Sequence, residues 1–347
     1  MRIFDVVGAG PGGEVAAGRL AEAGLDVAIV EADKAGGECS YYACMPSKAR
    51  LRPGEVLATA RRTPGVVAGQ LDVAAVLRRR HELIGGLDDA GQLPWLEERG
   101  VHLVRGWGRL AGERRVAVGD EILQARRAVI LAGGTRSALP PIDGLAAARP
   151  WTNREAATAT TIPASLIVIG GGVVGVEMTG AYRSLGARVT LIEGDRGLLP
   201  REEDFVREQL RAALREQGAD LREERAVGVR REDGVVTVTL SGGGTVTADE
   251  VLVAAGRTPQ TAGLGLETAG IDAGGFVTVD ERMRAPGHDW LYVVGDLNGR
   301  ALFTHMAKYQ AAIAIVGEVP LARLRHAIPA FPTRSEIWLR LFDALGR

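Results

Sequence analysis

The stretch VVGAGPGGEVAAGRLAEAGLDVAIVEAD, residues 6–33, returns later in the chain as IVIGGGVVGVEMTGAYRSLGARVTLIEGD, residues 167–195. The two copies share three glycines and a glutamate, each pair 162 positions apart: Gly8 and Gly170, Gly10 and Gly172, Gly13 and Gly175, and Glu31 and Glu193. So regular a register indicates an internal repeat.

Each copy has the pattern strand, glycine turn, small-residue helix and second strand, which predicts a βαβ unit. The first glycine permits the sharp turn, the second lets a pyrophosphate approach the backbone, and the third lets helix and strand pack closely. The final glutamate can accept hydrogen bonds from ribose hydroxyls. One such motif could be a turn that binds nothing, but two matched copies favour two dinucleotide sites. The polar Asp5 in IFDVV predicts a frayed strand before the first turn.

The segments around the repeat predict how the domains are arranged. Boundaries are expected near ALPPIDGL, residues 138–145, and TAGIDAGG, residues 268–275. Residues 1–149 and 276–318 then form a discontinuous first domain, with residues 150–275 inserted as the second. The predicted fold is α/β, with two Rossmann-like dinucleotide-binding domains.

Composition excludes several kinds of partner. The 347 residues include 42 Lys and Arg and 43 Asp and Glu. This balance leaves no excess of positive charge that would indicate binding to nucleic acid or to an anionic membrane. The N-terminus lacks the pattern of a signal peptide, and the most apolar window is too short and glycine-rich for a membrane span. A cytoplasmic protein acting on small molecules is expected.

The only two cysteines, Cys39 and Cys44, lie in GGECSYYACMPSK, residues 36–48. Two cysteines cannot form a disulfide framework in a chain of this length, and without an adjacent histidine they predict no metal site. Because they are five residues apart, a helix containing both needs a distorted first turn before they can form a disulfide. They are either a redox pair or small buried apolar residues.

Together, the two glycine motifs, GGECSYYACMPSK and the later YVVGDLNGRALFTHMAKYQA resemble the FAD-dependent pyridine nucleotide-disulfide oxidoreductases, in particular the dihydrolipoamide dehydrogenase-like members. The resemblance implies that the first site holds FAD and the second NAD or NADP. It assigns to FAD Gly8, Gly10, Gly13, Glu31, Lys48, Asp296, Thr304 and His305. It assigns to the nicotinamide cofactor Gly170, Gly172, Gly175 and Glu193.

The same resemblance assigns the redox chemistry. Cys44 would lie against the flavin, and Cys39 would exchange with a substrate disulfide. Lys48 would lie near the flavin, paired with Glu177, where a cation stabilises developing negative charge. Glu193 favours NAD because a carboxylate repels the extra phosphate of NADP, although the nearby Arg196 keeps NADP open.

The C-terminus departs from the family pattern. Most of the family's interface domain has no counterpart, and residues 319–347 resemble only its last part, a short helical remnant. The family histidine that acts as general base is replaced by Phe331, while the following glutamate is kept as Glu336. His326 is expected to be structural. The sequence therefore does not predict whether this chain forms the homodimer typical of the family.

The expected function is an FAD-dependent NAD(P)H oxidoreductase that passes hydride through FAD to a Cys39–Cys44 disulfide and on to a small-molecule or protein disulfide. Because phenylalanine cannot transfer a proton, one alternative is direct reduction of a quinone or dye by the flavin. A second alternative is a flavin- or nucleotide-binding protein or redox sensor that has lost catalysis.

Overall fold

The computed structural model describes residues 4–194 and 197–316. Its helices are α1 (Pro11–Glu22), α2 (Gly37–Tyr41), α3 (Cys44–Arg62), α4 (Val73–Leu83), α5 (Leu93–Glu98), α6 (Asn153–Thr158), α7 (Val173–Ser184), α8 (Asp204–Glu216) and α9 (Thr304–Val316). None of the described helices is long and apolar enough to cross a membrane.

The strands in the first part of the chain are β1 (Phe4–Val7), β2 (Val27–Glu31), β3 (His102–Arg105), β4 (Gly108–Leu110), β5 (Arg115–Val118), β6 (Glu121–Gln124), β7 (Ala128–Leu131) and β8 (Thr135–Ser137). Those that follow are β9 (Ser165–Ile169), β10 (Arg188–Ile192), β11 (Asp220–Arg222), β12 (Ala226–Glu232), β13 (Val235–Leu240), β14 (Thr245–Ala248), β15 (Glu250–Val253), β16 (Arg257–Pro259) and β17 (Leu291–Val293).

The described residues form two compact units. Unit 1 draws on Met1–Cys39, Asp88–Arg136 and Thr258–Arg347, and unit 2 comprises Ser40–Leu87 and Ser137–Arg257. This grouping places residues 40–87 with the second glycine motif, whereas the predicted domains assign them to the first. The predicted boundaries therefore remain a prediction.

Unit 1 is built on a parallel sheet in the order β17-β7-β1-β2-β3. The prediction of a frayed first strand is wrong, because β1 is the central strand and pairs on both sides from Phe4 to Val7. Backbone pairing does not depend on the side chain, and Asp5 is fully buried within it. A three-stranded antiparallel sheet, β4-β5-β6, belongs to the same unit.

Unit 2 repeats the parallel arrangement with the order β11-β10-β9-β15. Every residue of β9 is buried, as expected for a parallel strand covered on both faces. Strands β12, β13 and β14 form an antiparallel sheet in this unit. Both units thus have the predicted α/β architecture, and the fold class is confirmed.

Candidate functional site

The two glycine turns have nearly identical geometry. Gly10, which precedes α1, has φ −76° and ψ −178°, and Gly172, which precedes α7, has φ −76° and ψ −179°. Gly8 and Gly170 open the turns with φ of +104° and +120°, a backbone conformation that residues with a Cβ rarely adopt. The sequence repeat is therefore also a structural repeat.

The room for a Cβ atom distinguishes the glycines that pack against the turn from those that leave space for a ligand. A Cβ at Gly13 would lie 1.8 Å from the carbonyl oxygen of Gly8, and one at Gly175 would lie 1.9 Å from that of Gly170. By contrast, a Cβ at Gly10 would have no atom of the described residues within 4 Å. The same is true of Gly172, again for the part of the chain that the structure describes. The open space lies at a helix N-terminus, where backbone N–H groups favour an anion, so each turn fits a dinucleotide pyrophosphate.

Glu31, at the end of β2, is held beside the first turn by two backbone donors. The N–H of Ala9 donates to Oε2 and that of Asp33 to Oε1, both at 2.7 Å. Burial raises the pKa of Glu31, and these N–H groups counteract part of that shift. A carboxylate at the end of this strand can also accept hydrogen bonds from a ribose diol.

Glu193, just after β10, occupies the matching position beside the second turn. Its side chain is fully buried, and Oε1 lies 3.5 Å from Nη2 of Arg211 on α8. Burial raises the pKa of Glu193, and the positive charge of Arg211 opposes that rise. Among the described residues (4–194 and 197–316) Oε2 has no hydrogen-bond partner, and a buried acceptor without a donor is unusual. A ribose hydroxyl of the bound cofactor would supply that donor.

Lys48 and Glu177 form the ion pair that the resemblance implies. Nζ of Lys48, on α3, lies 2.5 Å from Oε1 and 2.6 Å from Oε2 of Glu177, on α7. The two side chains are 35% and 29% exposed, so solvent reaches both. The ammonium is held between both oxygens of one carboxylate and is thereby fixed as an oriented positive charge.

The cysteines lie in two successive helices and not in one distorted helix. Cys39 is buried within α2, while Cys44 is half-buried at the first residue of α3, and both are thiols. The helical path is interrupted at Tyr42 and Ala43, where Ala43 has φ −135° and ψ −95°.

The start of α2 contacts the first glycine turn. Gly37 has φ +58°, and a Cβ there would lie 2.7 Å from the Cα of Gly10. The N–H of Gly36 donates to the carbonyl of Ala9 at 2.8 Å. The cysteine motif thus begins with two glycines because the chain passes directly against the turn that would hold the pyrophosphate.

Asp296, assigned to FAD, lies in a short helical turn after β17. Its Oδ2 accepts a hydrogen bond from the hydroxyl of Thr135 at 2.8 Å. Gln310 on α9 supports this turn by accepting from the N–H of Gly295 at 2.8 Å. Thr304 begins α9, and His305, its second residue, is buried.

Three residues that contact the site were missed by sequence analysis. Thr135 orients Asp296, Arg211 faces Glu193, and Asn153 donates to the carbonyl of Tyr42 between the cysteines. The contacts of Thr135 and Asn153 span 161 and 111 positions, and that of Arg211 spans 18 and joins two different elements, so no motif in the sequence indicated them. Glu336, Phe331, His326 and Arg196 lie outside the described residues.

Comparison with known proteins agrees with the two-site geometry. Residues 5–314 match the model of the pyridine nucleotide-disulphide oxidoreductase family. The chain is 36% identical over 339 residues to dihydrolipoyl dehydrogenase 3 of Pseudomonas aeruginosa, covering 91% of this chain and 71% of that protein. It is 34% identical over 346 residues to dihydrolipoyl dehydrogenase of Haloferax volcanii, covering 94% and 72%.

A solved structure shows the same fold. The crystal structure of LpdA from Mycobacterium tuberculosis superposes with a TM-score of 0.79 at 28% identity, covering 96% of this chain and 74% of that one. Two parallel sheets, each with a glycine turn and a terminal glutamate, define a two-site dinucleotide-binding oxidoreductase. The chain belongs to the pyridine nucleotide-disulphide oxidoreductase family, whose members use FAD and NAD(P). The resemblance noted from the sequence is confirmed.

Proposed function

We propose that this chain reduces a disulfide substrate at the expense of NAD(P)H, with bound FAD and the Cys39–Cys44 pair as successive carriers, or catalyses the reverse reaction. The observation that supports it most strongly is the second glycine turn, in which Gly172 repeats the φ and ψ of Gly10 in the first turn to within 1°. One chain thereby offers two sites for dinucleotides, which a two-cofactor hydride transfer requires.

The first turn, with Glu31 and Asp296, would hold FAD, and the second turn, with Glu193, would hold NAD. Bound FAD supplies a two-electron carrier that accepts hydride from NAD(P)H and passes the electron pair to a disulfide. The buried carboxylate of Glu193 favours NAD over NADP, because a 2′-phosphate would meet like charge there and would lose hydration.

Lys48 is proposed as the electrostatic group of the reaction. A fixed ammonium stabilises negative charge that develops during reduction without having to reorient at that moment. Glu177 keeps the ammonium in place through both carboxylate oxygens, 2.5 and 2.6 Å away. In this proposal Glu177 is a positioning residue, and Lys48 is the group that would stabilise the developing charge.

The cysteine pair is proposed to carry the electrons to the substrate. Reduction of the disulfide breaks the S–S bond, and the two sulfurs take up two electrons and two protons. The Cys39 thiolate then attacks one substrate sulfur and forms a mixed disulfide, while the other substrate sulfur leaves and takes a proton. The Cys44 thiolate displaces the substrate from Cys39, which releases the substrate dithiol and restores the disulfide.

A lipoamide-type disulfide is the proposed substrate class, because the relatives that match most of this chain are named dihydrolipoyl dehydrogenases. A quinone or dye is the second candidate acceptor. It is favoured by Phe331, which stands in the sequence where the family has a histidine base. Electron transfer to a quinone does not need that base.

Steady-state oxidation of NADH tests the proposal and separates the two acceptors. The wild-type holoenzyme is assayed with lipoamide and with a quinone, beside Cys39→Ser and the matched variant Ser40→Ala. Disulfide reduction should be lost in Cys39→Ser and kept in Ser40→Ala, while quinone reduction survives in both. A Cys39→Ser enzyme that still reduces lipoamide at the wild-type rate would exclude the cysteine relay.

A further inference from the structure

The link between the two cysteine helices has an unusual hydrogen-bonding problem. In a continuous helix the carbonyl of Tyr42 would accept the N–H of residue 46, but residue 46 is Pro46, which has no N–H. The carbonyl must therefore find a donor elsewhere or remain unsatisfied at a cost of about 1–3 kcal/mol when buried. Proline at this position thus favours the interruption at Tyr42 and Ala43.

Asn153 supplies a donor where Pro46 has none. Its Nδ2 lies 3.0 Å from the carbonyl oxygen of Tyr42, 111 residues away in the sequence. Asn153 is 7% exposed, so this hydrogen bond is largely shielded from water. The side chain thus takes the place that the backbone N–H of an ordinary helix would occupy.

The surroundings of Asn153 fix the orientation of its amide. Oδ1 accepts from Nη1 of Arg257 at 3.0 Å and from the hydroxyl of Ser137 at 2.6 Å. A guanidinium can only donate, so the atom that faces Arg257 must be the oxygen. The NH₂ group is then left for the carbonyl of Tyr42, which can only accept.

The helix that carries Asn153 is itself well anchored. Thr152 caps α6, with its N–H donating to Glu155 at 2.7 Å and its hydroxyl accepting from the N–H of Arg154 at 3.2 Å. The guanidinium of Arg154 lies 4.1 Å from the ring centroid of Tyr42. The first turn of α6 therefore holds both the backbone and the ring of the residue between the cysteine helices.

The interruption matters because of the spacing of the two sulfurs. Residues five apart in an α-helix are separated by about 7.5 Å along the axis alone. Disulfides need Cα atoms about 4.4–6.8 Å apart, so a continuous helix from Cys39 to Cys44 could not close the bond. When the two cysteines are reduced, no disulfide constrains this segment. Only noncovalent contacts then maintain the interruption of the helix at Tyr42 and Ala43.

We propose that Asn153 is a positioning residue that keeps the backbone at Tyr42 and Ala43 non-helical, the conformation that Cys39 and Cys44 need to form their disulfide. This inference rests on the proposed function of the cysteines as a redox pair. Loss of the Asn153 donor lets the reduced link relax, which lowers the effective concentration of one thiol at the other. The disulfide then forms less readily.

The direct test measures the equilibrium of the cysteine pair in the holoenzyme. Wild type, Asn153→Asp, Asn153→Ala and Ser137→Ala are equilibrated in buffers of oxidised and reduced dithiothreitol, and thiols are trapped with a maleimide and counted by intact mass. Asn153→Asp keeps acceptors for Arg257 and Ser137 but removes the donor to Tyr42. Ser137→Ala removes one bond to Asn153 and leaves that donor in place.

Both Asn153 variants should lower the equilibrium constant for disulfide formation about tenfold, because one hydrogen bond is worth about 1–1.5 kcal/mol. The reduction potential of the Cys39–Cys44 pair should then be about 30 mV less negative. Ser137→Ala should stay within about threefold of wild type. In steady state the Asn153 variants should lose disulfide reduction about tenfold while NADH-dependent dye reduction is unchanged.

The outcomes separate this inference from the function on which it rests. An unchanged equilibrium constant in Asn153→Asp and Asn153→Ala, or an equal fall of both activities, overturns the positioning role and leaves the redox pair intact. A wild-type protein that forms no Cys39–Cys44 disulfide at any buffer ratio overturns both. Should Asn153→Ala fail to fold, Asn153→Asp, with its similar shape, gives the same reading.

Discussion

Nζ of Lys48 lies between the two carboxylate oxygens of Glu177, although the residues are 129 positions apart and come from different helices, α3 and α7. Removing the ammonium in Lys48→Met should slow NADH-dependent flavin reduction about tenfold or more, because the fixed positive charge is lost. Stopped-flow reduction at saturating NADH measures this rate.

Glu177→Gln is the companion change. It leaves the ammonium present but holds it by a neutral group, so the reduction rate should fall less than in Lys48→Met. If Glu177 acts only by orienting Lys48, the double variant should be no slower than Lys48→Met alone. Additive losses would show that the two residues act independently.

The open space at the second glycine of each turn predicts separable losses of the two cofactors. Gly10→Ala should fold and lose FAD, because its methyl group would occupy the space left for a pyrophosphate. Gly172→Ala should keep FAD and raise the KM for NADH about tenfold or more. Bound flavin is measured by absorbance and KM by steady-state kinetics.

Gly13→Ala serves as the contrast to Gly10→Ala. Its Cβ would lie 1.8 Å from the carbonyl oxygen of Gly8, so unit 1 should be severely destabilised. A soluble Gly13→Ala protein with wild-type flavin content would contradict the division between packing and binding glycines.

The buried Oε2 of Glu193 predicts how the second site discriminates between nucleotides. Glu193→Gln removes the negative charge at nearly constant shape, so preference for NADH over NADPH should fall about tenfold. The ratio of kcat/KM for the two nucleotides measures the preference. Arg211→Met should act in the opposite direction, because it removes the cation that faces the site. A Glu193→Gln enzyme with an unchanged ratio would rule out Glu193 as the discriminating group.

The glycine turns, Glu31 and Glu193 could be predicted from the sequence because each lies within one βαβ unit, where local register fixes the geometry. Asn153 could not, since its role depends on a contact with Tyr42 across 111 positions. The pairing of β1 around Asp5 could not be predicted for the same reason. A polar residue weakens an isolated strand, but β1 is paired on both sides, and one of those partners, β7, lies far along the chain.

A buried arginine, Arg50, is expected to contribute to the stability of unit 2. Arg50 is 0% exposed and donates to the carbonyl of Ala156 at 2.8 Å and the hydroxyl of Tyr182 at 2.7 Å. Arg50→Met should lower the free energy of unfolding by about 2–4 kcal/mol, because buried acceptors lose their donor. Denaturant titration measures it, with the exposed Arg52→Met as the matched control, which should change stability by less than about 0.5 kcal/mol.

Glu14 on α1 is expected to make the stability of the folded state depend on pH. Burial raises its pKa to about 7 from an ordinary value of 4.5, with Lys308 opposing the shift. Between those values the folded state binds more protons than the unfolded state, so the contribution of Glu14 to stability falls as pH rises. Glu14→Gln should therefore gain in Tm over wild type from pH 4.5 to 7 and no further above 7. A difference in Tm that is constant across this range would refute the assignment.

The central claim is that electrons from NAD(P)H pass through FAD to the Cys39–Cys44 pair, and an anaerobic titration of the purified protein with NADH tests it most directly. Visible absorbance reports the flavin, and maleimide trapping at each addition reports the thiols. The account predicts loss of flavin absorbance together with the appearance of two alkylated cysteines, at a stoichiometry above one NADH per flavin. Flavin bleaching at one equivalent with both cysteines still oxidised, or a colourless protein that does not respond, would contradict it.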